Sequence, residues 1–221
     1  MKRRHTLQDF IPVDYIELSR KTAIHEAGHA AAIYFGNKEK QLPPVFFQII
    51  IGDCSCSVDD NCTTRLEGGR LIHTLPSSFD AVIHNLSAIQ KKAYQKAIEA
   101  DIINLLVGSL AEANYIAKRD NELISPRLLP INALHNYGGS ADLDMINQYL
   151  NCFFPDKGQQ ENKMAKLFRA AFDFVNNDSH WYAMTALANY ILASDKKIIS
   201  YEEVVTVLDA HFFVVKKRAW H

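Results

Sequence analysis

Lys21-Thr22-Ala23-Ile24-His25-Glu26-Ala27-Gly28-His29-Ala30 is the stretch that decides how this chain is read. Its centre has the form HExxH. On a helix, at about 100° per residue, His25 and His29 stand about 40° apart and about 6 Å along the axis, so both imidazoles reach one point. Glu26 lies beside them. Two histidines so placed suit a zinc ion, and the carboxylate between them suits the activation of a water. The Ala-rich surroundings predict a helix over residues 22–35, with Gly36 just past its C-terminus.

A catalytic zinc takes three protein ligands and keeps one position for water. After His29 the chain runs Ala30-Ala31-Ala32-Ile33-Tyr34-Phe35, which excludes the H-x-x-G-x-x-H arrangement. The histidines at 73, 84, 135, 180, 211 and 221 have no ligand spacing, although His135 lies in the loop leading to Ser140. A Glu on a following helix and a distant Asp remain as common sources of the third ligand.

Working outward, Pro43-Pro44 breaks the chain, and the β-branched and aromatic residues 45–51 predict a strand. This strand is a candidate edge for an extended substrate. A second strand is expected over residues 70–75, after Gly68-Gly69 and before Pro76. Helical patterns follow over residues 81–118 in two pieces, with 97–117 apolar enough to be central, and over 140–154, 161–175, 179–192 and 201–215. Ser200-Tyr201-Glu202-Glu203 has the form of a capping box. Phe46, Phe47, Trp181 and Tyr182 read as core residues.

Composition narrows the class. With 221 residues, 48% of them hydrophobic, the chain is long enough to bury a core. A net charge of −1 and no block of like charge exclude a nucleic-acid footprint. The basic start, Met1 to His5, is followed by polar residues and not by the apolar core of a secretory signal, and no window is long and apolar enough for a membrane span. A cytoplasmic location is expected. Cys54, Cys56 and Cys62 lack the paired spacing of a zinc ribbon and read as reduced thiols in a polar loop, with Cys152 apart from them.

Three segments, taken together, resemble the peptidase domain of the FtsH-type ATP-dependent zinc metalloproteases. The first is the helix above, since HEAGHA is that family's usual wording. Val107-Gly108-Ser109-Leu110-Ala111-Glu112-Ala113 is similar to its GGRxAEE helix, and Gly138-Gly139-Ser140-Ala141-Asp142-Leu143 to its GASNDL loop. The order agrees over residues 21–154. The resemblance implies that His25, His29 and Asp142 hold Zn2+, with Asp144 on the same turn as the other candidate. It implies Glu26 as general base and Glu112 as the acid that steadies a ligating histidine. The implied fold is mainly α with α+β character: one helical, zincin-like peptidase domain over residues 1–221. A small sheet lies beside the HExxH helix, the core motifs fall within 21–154, and the C-terminal part, 159–216, is helical.

The chain departs from that family in lacking a G-x-x-x-x-G-K-[ST] nucleotide loop, and in carrying Val107, Ser109, Ala113 and Ala141 at motif positions. The expected activity is ATP-independent, zinc-dependent hydrolysis of peptides or unfolded protein. A second copy or a separate ATPase is the candidate protein partner. The alternative expectation is a catalytically silent domain of the same fold, acting as a binding or regulatory module.

Overall fold

The structure, a computed structural model, describes residues 13–52, 64–75, 86–154 and 156–212. It is mainly helical with a small antiparallel sheet, as expected. Helix α1, Val13–Ala31, carries the HExxH residues. It begins earlier than predicted and does not stop at Gly36. The chain continues through a π turn, Ala32–Gly36, into a last α turn, Asn37–Glu39. Gly36 has φ −64°, an ordinary helical value, so it is not a terminating glycine. Nor does close packing require it: an added Cβ would make only ordinary contacts, 3.5 Å from Lys40 Nζ and 3.8 Å from Asn104 Oδ1.

Helix α2, Ala88–Arg119, runs without the break expected before residue 97, while residues 81–85 of the predicted first piece lie outside the described residues. Ser87 starts it with a capping box, its hydroxyl accepting from the Gln90 N–H while Gln90 Oε1 accepts from the Ser87 N–H. From Ile98 to Ala117 most of its side chains are buried, so it is the central helix, as the apolar run predicts. Five polar residues, Asp101, Asn104, Ser109, Glu112 and Asn114, are buried with it. Helix α1 crosses α2 at close range. A Cβ on Gly28 would stand 2.9 Å from Ala111 Cβ and 3.0 Å from the Val107 carbonyl oxygen. Glycine and alanine at this crossing let the two backbones approach, which sets the HExxH histidines directly against α2.

Four further helices complete the frame: α3, Ser140–Phe153; α4, Lys157–Val175; α5, Asp178–Ala193; and α6, Tyr201–Phe212. Helix α5 packs on α1 and α6, while α3 and α4 pack on α2. The Ser200 capping box of α6 is formed, with Glu203 Oε2 accepting from the Ser200 N–H at 3.1 Å. One hydrophobic cluster extends from Ala23 on α1 to Leu208 on α6. Among the described residues, no helix is long and apolar enough to cross a membrane.

The sheet has the order β2-β1-β3, with β1 Phe47–Ile50, β2 Arg65–Gly68 and β3 Ile198–Ile199. Two expectations are corrected here. The strand within residues 45–51 is central and paired on both sides, with Ile49 opposite Leu66 and Ile199, so the edge beside α1 is β2. The second strand also lies earlier than predicted, because Gly68 and Gly69 take φ +93° and +81° and end it. Residues 70–75 are not a strand. The Leu71 and Ile72 N–H groups donate instead to the Asp101 carboxylate, each at 2.9 Å, and the Tyr149 hydroxyl joins them at 2.8 Å. Burial pushes the Asp101 carboxyl up from its ordinary range, against these three donors and nearby Arg70.

Phe47 is buried as predicted, but Phe46 is 69% exposed and Tyr182 37%, so neither is a core residue. Cys54, Cys56, Cys62, His84 and His221 lie outside the described residues, and Cys152 is half-buried on α3.

Candidate metal centre

Three ligand atoms from two helices converge at the crossing of α1 and α2. His25 Nε2 and His29 Nε2 are 3.0 Å apart, and Asp142 Oδ2 lies 3.2 Å from the first and 3.4 Å from the second. Four-coordinate zinc with ligand bonds of about 2.0–2.1 Å sets its ligand atoms about 3.3 Å apart. Asp142 stands in the first turn of α3, brought over α1 by the short 3-10 helix Ile131–Tyr137 and the glycine pair that follows. Gly138 turns the chain with φ +70°, and a side chain there would press on both His25 and Glu112, each 3.1 Å from the added Cβ.

The other ring nitrogens fix the tautomers. His29 Nδ1 lies 2.8 Å from the Asn104 carbonyl oxygen. His25 Nδ1 lies 3.2 Å from the Tyr137 carbonyl oxygen and 3.4 Å from Glu112 Oε2. Carbonyl and carboxylate oxygens only accept, so each Nδ1 carries the hydrogen and each Nε2 presents a lone pair. When both rings are neutral, two lone pairs and a carboxylate oxygen face one another, and either a metal ion or a proton on an Nε2 relieves them. The proton is held tightly: burial works to lower the His25 pKa, but Asp142, Glu112 and Glu26 outweigh it and raise it to about 10. Burial likewise opposes the charge on His29, and Asp142 overcomes it and raises that pKa too. The two histidines hold the Asp142 carboxyl well below the usual carboxylate range despite its burial.

Glu26 is half-buried one residue from His25, and one of its oxygens, Oε2, accepts the Leu66 N–H of β2 at 2.7 Å. The outer edge of the sheet thus holds the carboxylate in place and leaves Oε1 for another partner. Around these residues opens a cavity of about 480 Å³, lined on one side by residues 65–70 and on the other by α2 and α3. Its size falls in the range of small-molecule and peptide-binding clefts.

Every residue picked out as a metal ligand or its neighbour is therefore at one place: His25, Glu26, His29, Asp142 and Glu112. Asp144, the other candidate on α3, is exposed and does not join the group. His135 is exposed as well and bonds the Asn132 carbonyl oxygen. His180 is buried against Phe174, Phe35 and Phe212.

Other contributors carry no signal of their own in the sequence. The Asn104 and Tyr137 carbonyl oxygens and the Leu66 N–H act through the backbone, which any residue supplies. Gly108 is different: a Cβ there would stand 2.3 Å from His29 Nε2, and the glycine sits in the α2 motif already singled out.

Compared with models of known protein families and with the curated proteins, the chain matches none.

Proposed function

We propose that this chain is a zinc-dependent metallopeptidase, related to the peptidase domain of the FtsH-type proteases, that hydrolyses peptide bonds. The observation that carries the reading is the meeting of three acceptor atoms from His25, His29 and Asp142 beside Glu26, at the floor of an open cleft. The donor set fits zinc by chemistry as well as spacing: two neutral imidazoles and a carboxylate leave a fourth position for water or substrate.

A bound zinc ion would polarise the substrate carbonyl and acidify a water. The rest is the work of side chains. Glu26 takes the water proton on Oε1 while the Leu66 N–H holds Oε2. It passes that proton to the amide nitrogen as the carbon–nitrogen bond breaks, so one water is consumed and a carboxylate and an amine are released. Glu112 and the Tyr137 carbonyl keep the His25 ring turned toward the metal position, and the Asn104 carbonyl does so for His29. The outer edge of β2 borders the cleft, so an extended peptide would align along Arg65–Gly68.

The test is metal analysis of the purified protein together with casein hydrolysis by wild type and Glu26→Gln. About one zinc per chain is expected, with cleavage in wild type only and zinc content unchanged in the variant. Zinc without Glu26-dependent cleavage of any peptide pool would turn the reading toward a silent binding module.

A further inference from the structure

We infer that Arg70 forms a carboxylate-recognition site inside the cleft, so that the preferred peptide bond lies next to an acidic group. The inference rests on the peptidase reading for its substrate class but on different residues. Arg70 follows the glycine pair that ends β2 and lines the same cavity as the metal centre. It is half-buried, and its one hydrogen bond among the described residues is to the Met145 thioether, Nη1 to Sδ at 3.4 Å. A thioether is a weak acceptor, so the guanidinium faces the cleft without the anion its geometry suits.

Its position relative to the chemistry follows from α3. Met145 comes one turn after Asp142, so the two side chains are neighbours on one helix face and Arg70 stands beside the metal ligand. Asp101 does not neutralise it by direct pairing. Its two oxygens are engaged by Leu71, Ile72 and Tyr149, and these bonds fix the backbone next to Arg70.

The wall beside it is apolar: Leu105 of α2 and Met145 of α3 line the same cavity. A cation and apolar walls beside a hydrolytic centre fit a carboxylate attached to a short carbon chain. A peptide offers that group from two sources, an Asp or Glu side chain or its own C-terminus.

Both sources and both readings are separable. Zinc-loaded Glu26→Gln protein, unable to turn over, is titrated by fluorescence anisotropy with three labelled peptides: one with internal Glu and an amidated C-terminus, its Gln counterpart, and an acid-free peptide with a free C-terminus. The Glu peptide or the free-terminus peptide is expected to bind roughly tenfold or more tightly than the Gln peptide, the size of one charge-assisted contact. Arg70→Gln in the same background should remove that difference, and Arg70→Lys should restore part of it. In parallel, cleavage sites of wild type in casein are mapped by mass spectrometry and should cluster beside Asp and Glu, or near chain ends. Equal binding of all three peptides, or a preference unchanged in Arg70→Gln, overturns the inference. Cleavage without acidic preference leaves the peptidase reading standing and the carboxylate site refuted. Carboxylate-dependent binding with no cleavage anywhere does the reverse.

Discussion

Gly108 lies against the face of His29 so closely that the imidazole occupies the space of the missing side chain. A Cβ on Gly108 would stand 2.3 Å from His29 Nε2 and 2.4 Å from Cε1, inside any allowed contact. Helix α2 therefore does more than pack on α1. It sets the ring of His29 from behind, while the Asn104 carbonyl one turn earlier takes the Nδ1 hydrogen.

Gly108→Ala should accordingly damage metal binding more than folding. Alanine is the better helix former by about 1 kcal/mol, which offsets part of the overpacking. The displaced His29 ring, however, can no longer meet His25 and Asp142. Zinc affinity, measured by competition with a chromogenic chelator, is expected to fall at least about tenfold, the low end for disturbing a ligand's support. Gly158→Ala on α4 is the control, since its Cβ would meet nothing closer than Asp156 Oδ1 at 3.2 Å. If both variants bind zinc like wild type, the close approach of Gly108 does not position His29.

Glu112→Gln tests the acid behind His25. Glutamine keeps the volume and one acceptor oxygen but loses the charge that favours an Nδ1–H donor, while the Tyr137 carbonyl stays as a neutral partner at 3.2 Å. A loss of about 10–100-fold in zinc affinity is expected from such changes around ligating histidines. Far-UV circular dichroism should be unchanged. An unaltered zinc affinity would make Glu112 a bystander.

Much of this was readable in the chain before any coordinate, and the failures have a common cause. The phase of His25 and His29 and the central run of α2 follow from side-chain type and spacing, and the acid at Asp142 from the resemblance of residues 138–143 to a family loop. The errors fall where a backbone N–H found a tertiary partner. Residues 70–75 look like a strand, yet the Leu71 and Ile72 N–H groups are taken by Asp101, about thirty positions away in the chain. Arg65–Gly68, a less apolar run, forms the strand because β1 pairs with it and its Leu66 N–H binds Glu26. Gly36 looks like a helix stop, but it lies in a π turn with an ordinary helical φ of −64°, so its conformational freedom is not used. Arg70 carried no pattern at all; only the cleft around it gives it a role.

Metal removal should cost stability, because only the folded chain brings His25, His29 and Asp142 to one point. Zinc at a hundredfold excess over its dissociation constant is expected to add about 2.7 kcal/mol to the folded state. Differential scanning calorimetry of chelator-treated protein, with and without added zinc, measures this as a rise in Tm. Asp142→Ala should lose most of the rise, and Asp144→Ala should keep it, since Asp144 is exposed and outside the ligand group. A full response in Asp142→Ala would remove that residue from the ligand set.

His180 provides a pH dependence independent of the metal. Its ring is buried and stacked on Phe174 at 3.9 Å between centroids, with Phe35 and Phe212 also against it. Burial lowers its pKa below the ordinary histidine value, although Glu39 and the Phe174 carbonyl favour the charged form. The unfolded chain, with a histidine pKa near 6.5, then binds more protons than the folded one as pH falls below about 6.5. The stability contributed by neutral His180 is therefore complete above that pH and is lost on acidification, until the depressed folded value has been passed. The slope cannot exceed about 1.4 kcal/mol per pH unit for one proton. Urea unfolding of wild type and His180→Leu at pH 7.5, 6.5, 5.5 and 5.0 isolates the effect, because the metal-site histidines are common to both proteins. The stability difference between wild type and variant should shift against wild type as pH falls. A difference that stays constant, or moves toward wild type, would mean that Glu39 outweighs burial and that His180 is charged in the folded protein.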